Sequence, residues 1–268
     1  MKGNPESLTG LGNLFKKIDV YLNSNQSIEK EMTKRNKTAR FAGLLYLILV
    51  ISGIINLMYI PSKLIVWENP SETLENIIRS EMLFRLGILS GILTFLMFLL
   101  LPLALYKLLH HVNKKYAMLM VIFAIVSIPI SFINILNKFS VLTLISKANY
   151  LNGLDASELQ FQVMFYLDSY NNGIEISQIF WGLWLFPFGY LVYKSGFLPK
   201  FLGVLLMMGC IGYLITFLGG FLYPNFHKTI ISTIIGLPAS IGEIGICLWL
   251  LIMGARTLNF RKKTDNHI

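Results

Sequence analysis

Hydrophobic residues in this chain come in long runs, separated by short polar breaks in which Lys, Arg, Glu and Asn gather. About 20 apolar residues are what a helix needs to cross the hydrocarbon of a bilayer. Runs of that kind fall at about 39–60, 82–109, 116–137, 173–193, 201–222 and 233–254, which predicts six spans. The third pattern continues past Lys138 to Ile145, so this helix is expected to project beyond the membrane, and Pro102 is expected to kink the second. Tight turns are predicted at His110–Lys115 and Lys194–Lys200, and an acidic loop with Glu68, Glu72 and Glu75 between Pro61 and Ser80. Within the long polar connection 147–172, Leu159, Val163, Tyr166 and Tyr170 have the spacing of a short amphipathic helix lying on the surface.

Residues 1–38 are polar, yet Leu8, Leu11, Phe15, Ile18 and Leu22 recur at helical spacing. They fit either an amphipathic helix on an anionic membrane surface, aided by Lys16 and Lys17, or a loosely ordered extension. The first apolar run is too long for a signal peptide and no A-x-A-like site follows it, so it is expected to stay. Lys and Arg divide unevenly between the two sides of the predicted bundle. The N-terminal region, the His110 turn, the Phe197 turn and the C-terminal tail hold 17 of the 23. Retention of basic residues in the cytoplasm then orients the chain. The prediction is all-α: a polytopic membrane bundle of six transmembrane helices with both termini cytoplasmic. Residues 1–38 form an extension, 39–255 the transmembrane domain and 256–268 a basic tail.

Composition agrees. Only 14% of residues are charged and 54% are hydrophobic, with mean hydropathy +0.61; soluble domains carry about 25% charged residues. The net charge of +9 does not point to nucleic acid, because the basic residues sit at the ends of apolar runs. Cys210 and Cys247 lie inside such runs, so no disulfide framework is implied.

One ionisable residue stands near the middle of a span. Glu243 lies between Gly242 and Gly245, five residues after Pro238, a pattern that suggests an interrupted helix lining a cavity. An intramembrane carboxyl must be protonated, paired or turned to a polar space. It marks either a ligand site or a structural carboxyl bonded to neighbouring hydroxyls. Arg85 and Glu175 sit near outer helix ends, where they either snorkel to the interface or converge with Glu243 on an outward-facing polar pocket, joined by Asn56, Asn134, Asn137 and Lys138. His110 and His111 are adjacent and point apart on a helix, so a shared metal is not expected. Beside Lys114 and Lys115 they read as solvated or facing lipid phosphate. No span holds a histidine or an aspartate, which argues against a haem held between helices, an intramembrane serine–histidine pair and an aspartyl pair. Gly87-Ile-Leu-Ser90-Gly91 only superficially looks like a nucleophile motif, and no P-loop, dinucleotide fingerprint or HExxH occurs. No catalytic residue, cofactor or metal is expected.

Several segments together resemble a bacterial multi-pass membrane family classed only as a domain of unknown function. They are Ala39 to Leu47, Phe84-Arg85-Leu86-Gly87, Leu103 to Leu109, and above all Gly189-Tyr-Leu-Val-Tyr-Lys-Ser-Gly-Phe-Leu-Pro-Lys-Phe-Leu-Gly-Val-Leu205. Ile241-Gly242-Glu243 with Leu248-Trp249-Leu250-Leu251 completes the pattern, which covers about Lys34 to Arg256. The resemblance implies a bacterial cytoplasmic-membrane protein and brings no activity. The residues themselves favour a non-enzymatic protein that binds or moves a small or lipidic ligand, with Glu243, Arg85, Glu175, Asn134 and Lys138 as candidate ligand contacts. A membrane enzyme using Glu243 or Glu175 as general base is one alternative. A scaffold or regulatory subunit is another. Expected partners are membrane lipids, such a ligand, and a protein partner or second copy.

Overall fold

The structure is a computed structural model describing residues 5–146, 153–223, 225–226 and 229–255, with side chains at 21, 24, 26 and from 29 onward within those ranges. The described residues are helical, without strands. Helix α1 (Pro5–Ile54) passes through a π-helical turn (Ile55–Tyr59) into short α2 (Ile60–Leu64). Then follow α3 (Pro70–Arg79), α4 (Glu81–Leu109), α5 (Lys114–Ile145), α6 (Ala156–Lys194), α7 (Lys200–Leu222) and α8 (Ile230–Ile252). Six stretches are long and apolar enough to cross a membrane: 29–64, which joins the end of α1 to α2, and helices α4 to α8. Six crossings return the chain to its starting side, so the end of α8 lies with the basic part of α1. We call this the basic end.

Two expectations change. The acidic loop contains α3, because Asn69 caps it by accepting from the Glu72 N–H at 3.1 Å and Pro70 fills the first helical position. The surface helix expected at 159–170 is the opening of α6, continuous from Ala156. It starts at a capping box in which Asp155 accepts from the N–H groups of Ser157 and Glu158, at 2.7 and 2.8 Å. These bonds, that from Glu158 foremost, hold the Asp155 carboxyl below the usual carboxylate range. Helix α5, as the apolar pattern past Lys138 predicts, runs unbroken to Ile145. The long ends of α5 and α6 and helix α3 therefore bury Leu74, Ile77, Val141, Leu142, Val163 and Leu167 in a common core beyond the main bundle. Apolar faces that look lipid-bound one segment at a time are covered by one another. Pro102 lies inside α4, which is one continuous helix. In the N-terminal region the backbone is helical from Pro5, while the side chains of the Leu8–Leu22 stripe lie outside the described residues, as does the tail from 256.

The spans form a closed ring in chain order, each packed on its neighbours: α1 on α4, α4 on α5, α5 on α6, α6 on α7, α7 on α8 and α8 back on α1. Trp184 fills the interior, edge-on to Phe98 at 5.1 Å and stacked on Phe188 at 5.2 Å. Lipid tails are as apolar as leucine, so helices associate in membranes largely through close backbone packing. At the α6–α7 seam a Cβ on Gly203 would lie 2.6 Å from the Gly189 carbonyl, and at the α1–α8 seam one on Gly43 would lie 2.5 Å from the Leu251 nitrogen. Side chains larger than hydrogen would prise these helices apart.

Candidate functional site

The α1–α8 seam is closed at the basic end and opens away from it. Arg40 donates to the Ile252 carbonyl at 3.3 Å, the Ala255 N–H donates to Asn36 Oδ1 at 3.1 Å, and the Cys247 thiol lies 3.8 Å from the Gly43 carbonyl. Among the described residues the last side-chain hydrogen bond across this seam is that of Tyr46 with Glu243. Beyond it α1 turns Leu49, Val50 and Gly53, and the π-helical turn Leu57, to a cavity of about 240 Å³, whose wall also includes Phe98, Trp184 and Tyr213.

Glu243 stands at the closed end of this cavity. The Tyr46 hydroxyl donates to its Oε2 at 3.0 Å and the Tyr213 hydroxyl to its Oε1 at 3.4 Å. Three helices thus meet on one carboxyl. The position follows from the residues around it on α8. Helix α8 is unbroken from Ile230 to Ile252, with Pro238 inside it, so the expected interruption is absent. Instead Gly242 lets the Leu206 backbone approach, and a Cβ on Gly245 would lie 2.7 Å from Leu202 Cδ2. Both glycines seat α8 on α7, and Glu243 takes the neighbouring direction, toward α1. Sequence reasoning foresaw hydroxyl partners for Glu243 without naming them. A tyrosine within an apolar run, as Tyr46 and Tyr213 are, was the available signal, since a buried phenol seeks an acceptor. The cavity also meets Thr94, and Trp181 of its wall has an indole N–H without a hydrogen-bond partner.

A second polar centre lies where the π-helical turn faces α4, α5 and α6. Pro61, two residues beyond the turn, withholds an N–H from the helix ladder, and the Ile60 N–H bonds to the Ile55 carbonyl in the wider π register. The turn carries buried Asn56. Its Oδ1 accepts from Lys138 Nζ at 2.7 Å and its Nδ2 donates to the Tyr170 hydroxyl at 3.0 Å, while the Lys138 ammonium lies 4.1 Å from the Tyr170 ring centroid. Asn134 donates to the Tyr170 carbonyl at 2.8 Å and accepts from Asn137 at 3.0 Å. Its amide occupies the space that a Cβ at Gly173 would need. Lys138 is only 4% exposed, and the ion pairs among the described residues, Arg79–Glu75 and Arg85–Glu81, do not include it.

The predicted candidates therefore separate. Asn56, Asn134, Asn137 and Lys138 come together, and Glu243 belongs to the cavity on the far side of Phe95, whose ring meets both Trp181 and Phe132. Arg85 reaches neither centre: it is half-exposed and paired with Glu81 at 2.6 Å on its own helix. The sequence offered that partner at helical spacing, four residues earlier. Glu175 is partly buried on α6, between Ile174 and Ile176, and does not line the cavity. His110 and His111 are exposed at the basic end. Among the described residues no three His, Cys, Asp or Glu side chains converge as metal ligands would. Chemically, the cavity offers one carboxyl, oriented by two phenols, at the end of an apolar slot. It can accept or release a proton and hydrogen-bond a polar group carried on an apolar body.

A family model for DUF4386, a domain of unknown function, matches residues 41–254, most of the chain and all six spans in whole or in part. This chain belongs to the DUF4386 family. One relative is an uncharacterized protein of Archaeoglobus fulgidus, 31% identical over 153 residues, which are 57% of this chain and 74% of that protein. No solved structure matches the chain. Both polar centres, Tyr46 to Glu243 and Asn56 to Tyr170, fall inside the matched region, whereas most of the basic N-terminal part of α1 falls outside it.

Proposed function

We propose that this DUF4386 protein binds a small or lipidic ligand in the cavity lined by α1, the π-helical turn, α4 and α6 and reached by Tyr213 of α7, with Glu243 of α8 as its polar anchor. The basic end is taken as cytoplasmic from its Lys and Arg excess, so the cavity faces the outer half of the membrane. The observation that carries the reading is a carboxyl held at the closed end of a slot that is otherwise almost wholly apolar. Structural carboxyls are sealed by packing; this one adjoins open space. The cavity volume, about 240 Å³, lies below the roughly 300–1,000 Å³ of drug-sized pockets, which suits one chain of a lipid or a small lipophile.

Native mass spectrometry of the purified protein against Glu243→Gln tests this. Gln keeps the shape and one acceptor oxygen, puts an NH2 donor in place of the other, and removes the charge and the titration. A bound species present on the wild type and lost in a folded Glu243→Gln protein is the expected result. An unchanged bound species refutes Glu243 as anchor. Because the two tyrosines join α1 and α7 to α8 through Glu243, a purely structural role is the second reading. It is favoured if Glu243→Gln unfolds in detergent while carrying no less ligand per folded molecule.

A further inference from the structure

At the basic end, on the opposite side of the membrane from the Glu243 cavity, α1 and the end of α4 form a cleft in two parts. The first has a volume of about 630 Å³ and is lined by Lys34, Arg35, Thr38, Lys107, His110 and His111, with Glu31 as its one carboxylate. The second, about 470 Å³, shares Thr38 and Lys107 with the first and adds Lys37, Phe41, Leu100, Leu103 and Ala104. The register on both helices is the same. From Lys34 through Lys37 to Phe41 on α1, and from Lys107 through Leu103 to Leu100 on α4, spacings of three and four hold one stripe. Charge gives way to apolar surface within roughly 10 Å of helix rise on each. Lys34, Lys37 and Lys107 are exposed, and none takes part in the ion pairs found among the described residues. Arg35 is fixed differently, 4.7 Å over the Phe197 ring and donating to the Ala255 carbonyl at 3.5 Å.

We propose that this cleft is a binding site for an anionic glycerophospholipid of the cytoplasmic leaflet. Its phosphate sits among Lys34, Lys37 and Lys107, and one acyl chain lies along Phe41, Leu100 and Leu103. Charge complementarity selects the occupant: uncompensated cations at headgroup level open directly onto an apolar trough at acyl level. A free anion would leave the trough unfilled, and a zwitterionic lipid would set its own cation against the lysines. Arg35 and Phe197 form the floor and position the helix ends.

The test is native mass spectrometry of the full-length protein in detergent, titrated with phosphatidylglycerol and with phosphatidylcholine of the same chains. Tighter binding of phosphatidylglycerol is expected. The Lys34→Gln/Lys37→Gln/Lys107→Gln protein should lose about fivefold per lysine, roughly 100-fold in all. The Lys114→Gln/Lys115→Gln protein, altered at exposed lysines of the same end that do not line the cleft, should bind as the wild type does. Leu103→Trp, which narrows the trough, should weaken phosphatidylglycerol, and excess inorganic phosphate should not displace the lipid. Equal affinity for the two lipids overturns the proposal, as does an equal loss in both lysine sets, which would mean only a diffuse surface charge. Displacement by phosphate together with indifference to Leu103→Trp would make it a free-anion site and overturn it too. None of these outcomes depends on Glu243.

Discussion

The buried Lys138 gives the sharpest energetic prediction. Removing an ion from water costs several kcal/mol even after the protein relaxes. Here the structure returns a charge-assisted hydrogen bond to Asn56 and an ammonium–ring contact with Tyr170. The first is worth about 1.5–3 kcal/mol and the second about 2 kcal/mol when desolvated. Together they roughly offset the burial, so the lysine is tolerated rather than stabilising. Lys138→Met removes the cost and the compensation at once and should shift stability by about 1 kcal/mol or less. Asn56 then keeps the Tyr170 hydroxyl, which lies 3.5 Å from its Oδ1. Asn56→Leu is different: it strands the ammonium without its acceptor and should cost about 2–3 kcal/mol. In the double variant that cost should largely vanish, a coupling of about 2 kcal/mol. The assay is reversible unfolding in mixed micelles followed by tryptophan fluorescence, run as a four-protein cycle. A coupling near zero, or Lys138→Met costing more than Asn56→Leu, would refute the balance drawn here.

Other consequences are simpler to read. Gly203→Val forces side-chain atoms into a seam where even a Cβ would lie 2.6 Å from the Gly189 carbonyl, and overpacking of this kind costs about 1–3 kcal/mol or more. Gly236→Ala, with nothing within 4 Å of the new Cβ, should instead stabilise by up to about 1 kcal/mol in the same unfolding assay. Arg85→Ala removes a half-exposed pair and should change stability by under about 1 kcal/mol, leaving any species held at Glu243 in place by mass spectrometry. Burial, then His110 and Arg35, push the His111 imidazole below its ordinary value, so it is largely neutral at pH 7 and gains its proton only as pH falls below the usual 6.5. A phosphodiester stays ionised through that range and favours the imidazolium. With Lys34, Lys37, Lys107 and Glu31 as the other charged groups of the cleft, phosphatidylglycerol affinity should rise as pH falls from 7.5 to 5. A His111→Gln protein should lose that rise and keep its affinity at pH 7.5; a rise that persists in it would assign the effect elsewhere.

The six spans, their connections and the excess of Lys and Arg at one end are written into the chain locally. Each depends on a run of side chains long enough to match a bilayer, and no partner is needed to recognise it. That Glu243 needs partners was legible for the same reason, since a carboxyl within apolar residues is costly wherever the helix packs. Its partners were not. Tyr46 and Tyr213 are 197 and 30 residues away in sequence, and only the closure of the ring, with α8 returning to α1 through Gly43, brings them together. The same closure decided the fate of the other charges. Arg85 found a partner one turn away, a local event that helical spacing anticipates. Lys138 found Asn56 across 82 residues, through a π-helical turn that shifts the register of α1 ahead of Pro61. The opening of α6 seemed surface-bound because it shows one apolar face and nothing in a single segment tells what covers it. Tertiary packing answered with protein. Composition and periodicity report what a segment must hide; which surface hides it, and where a cavity is left, depends on how all six helices meet.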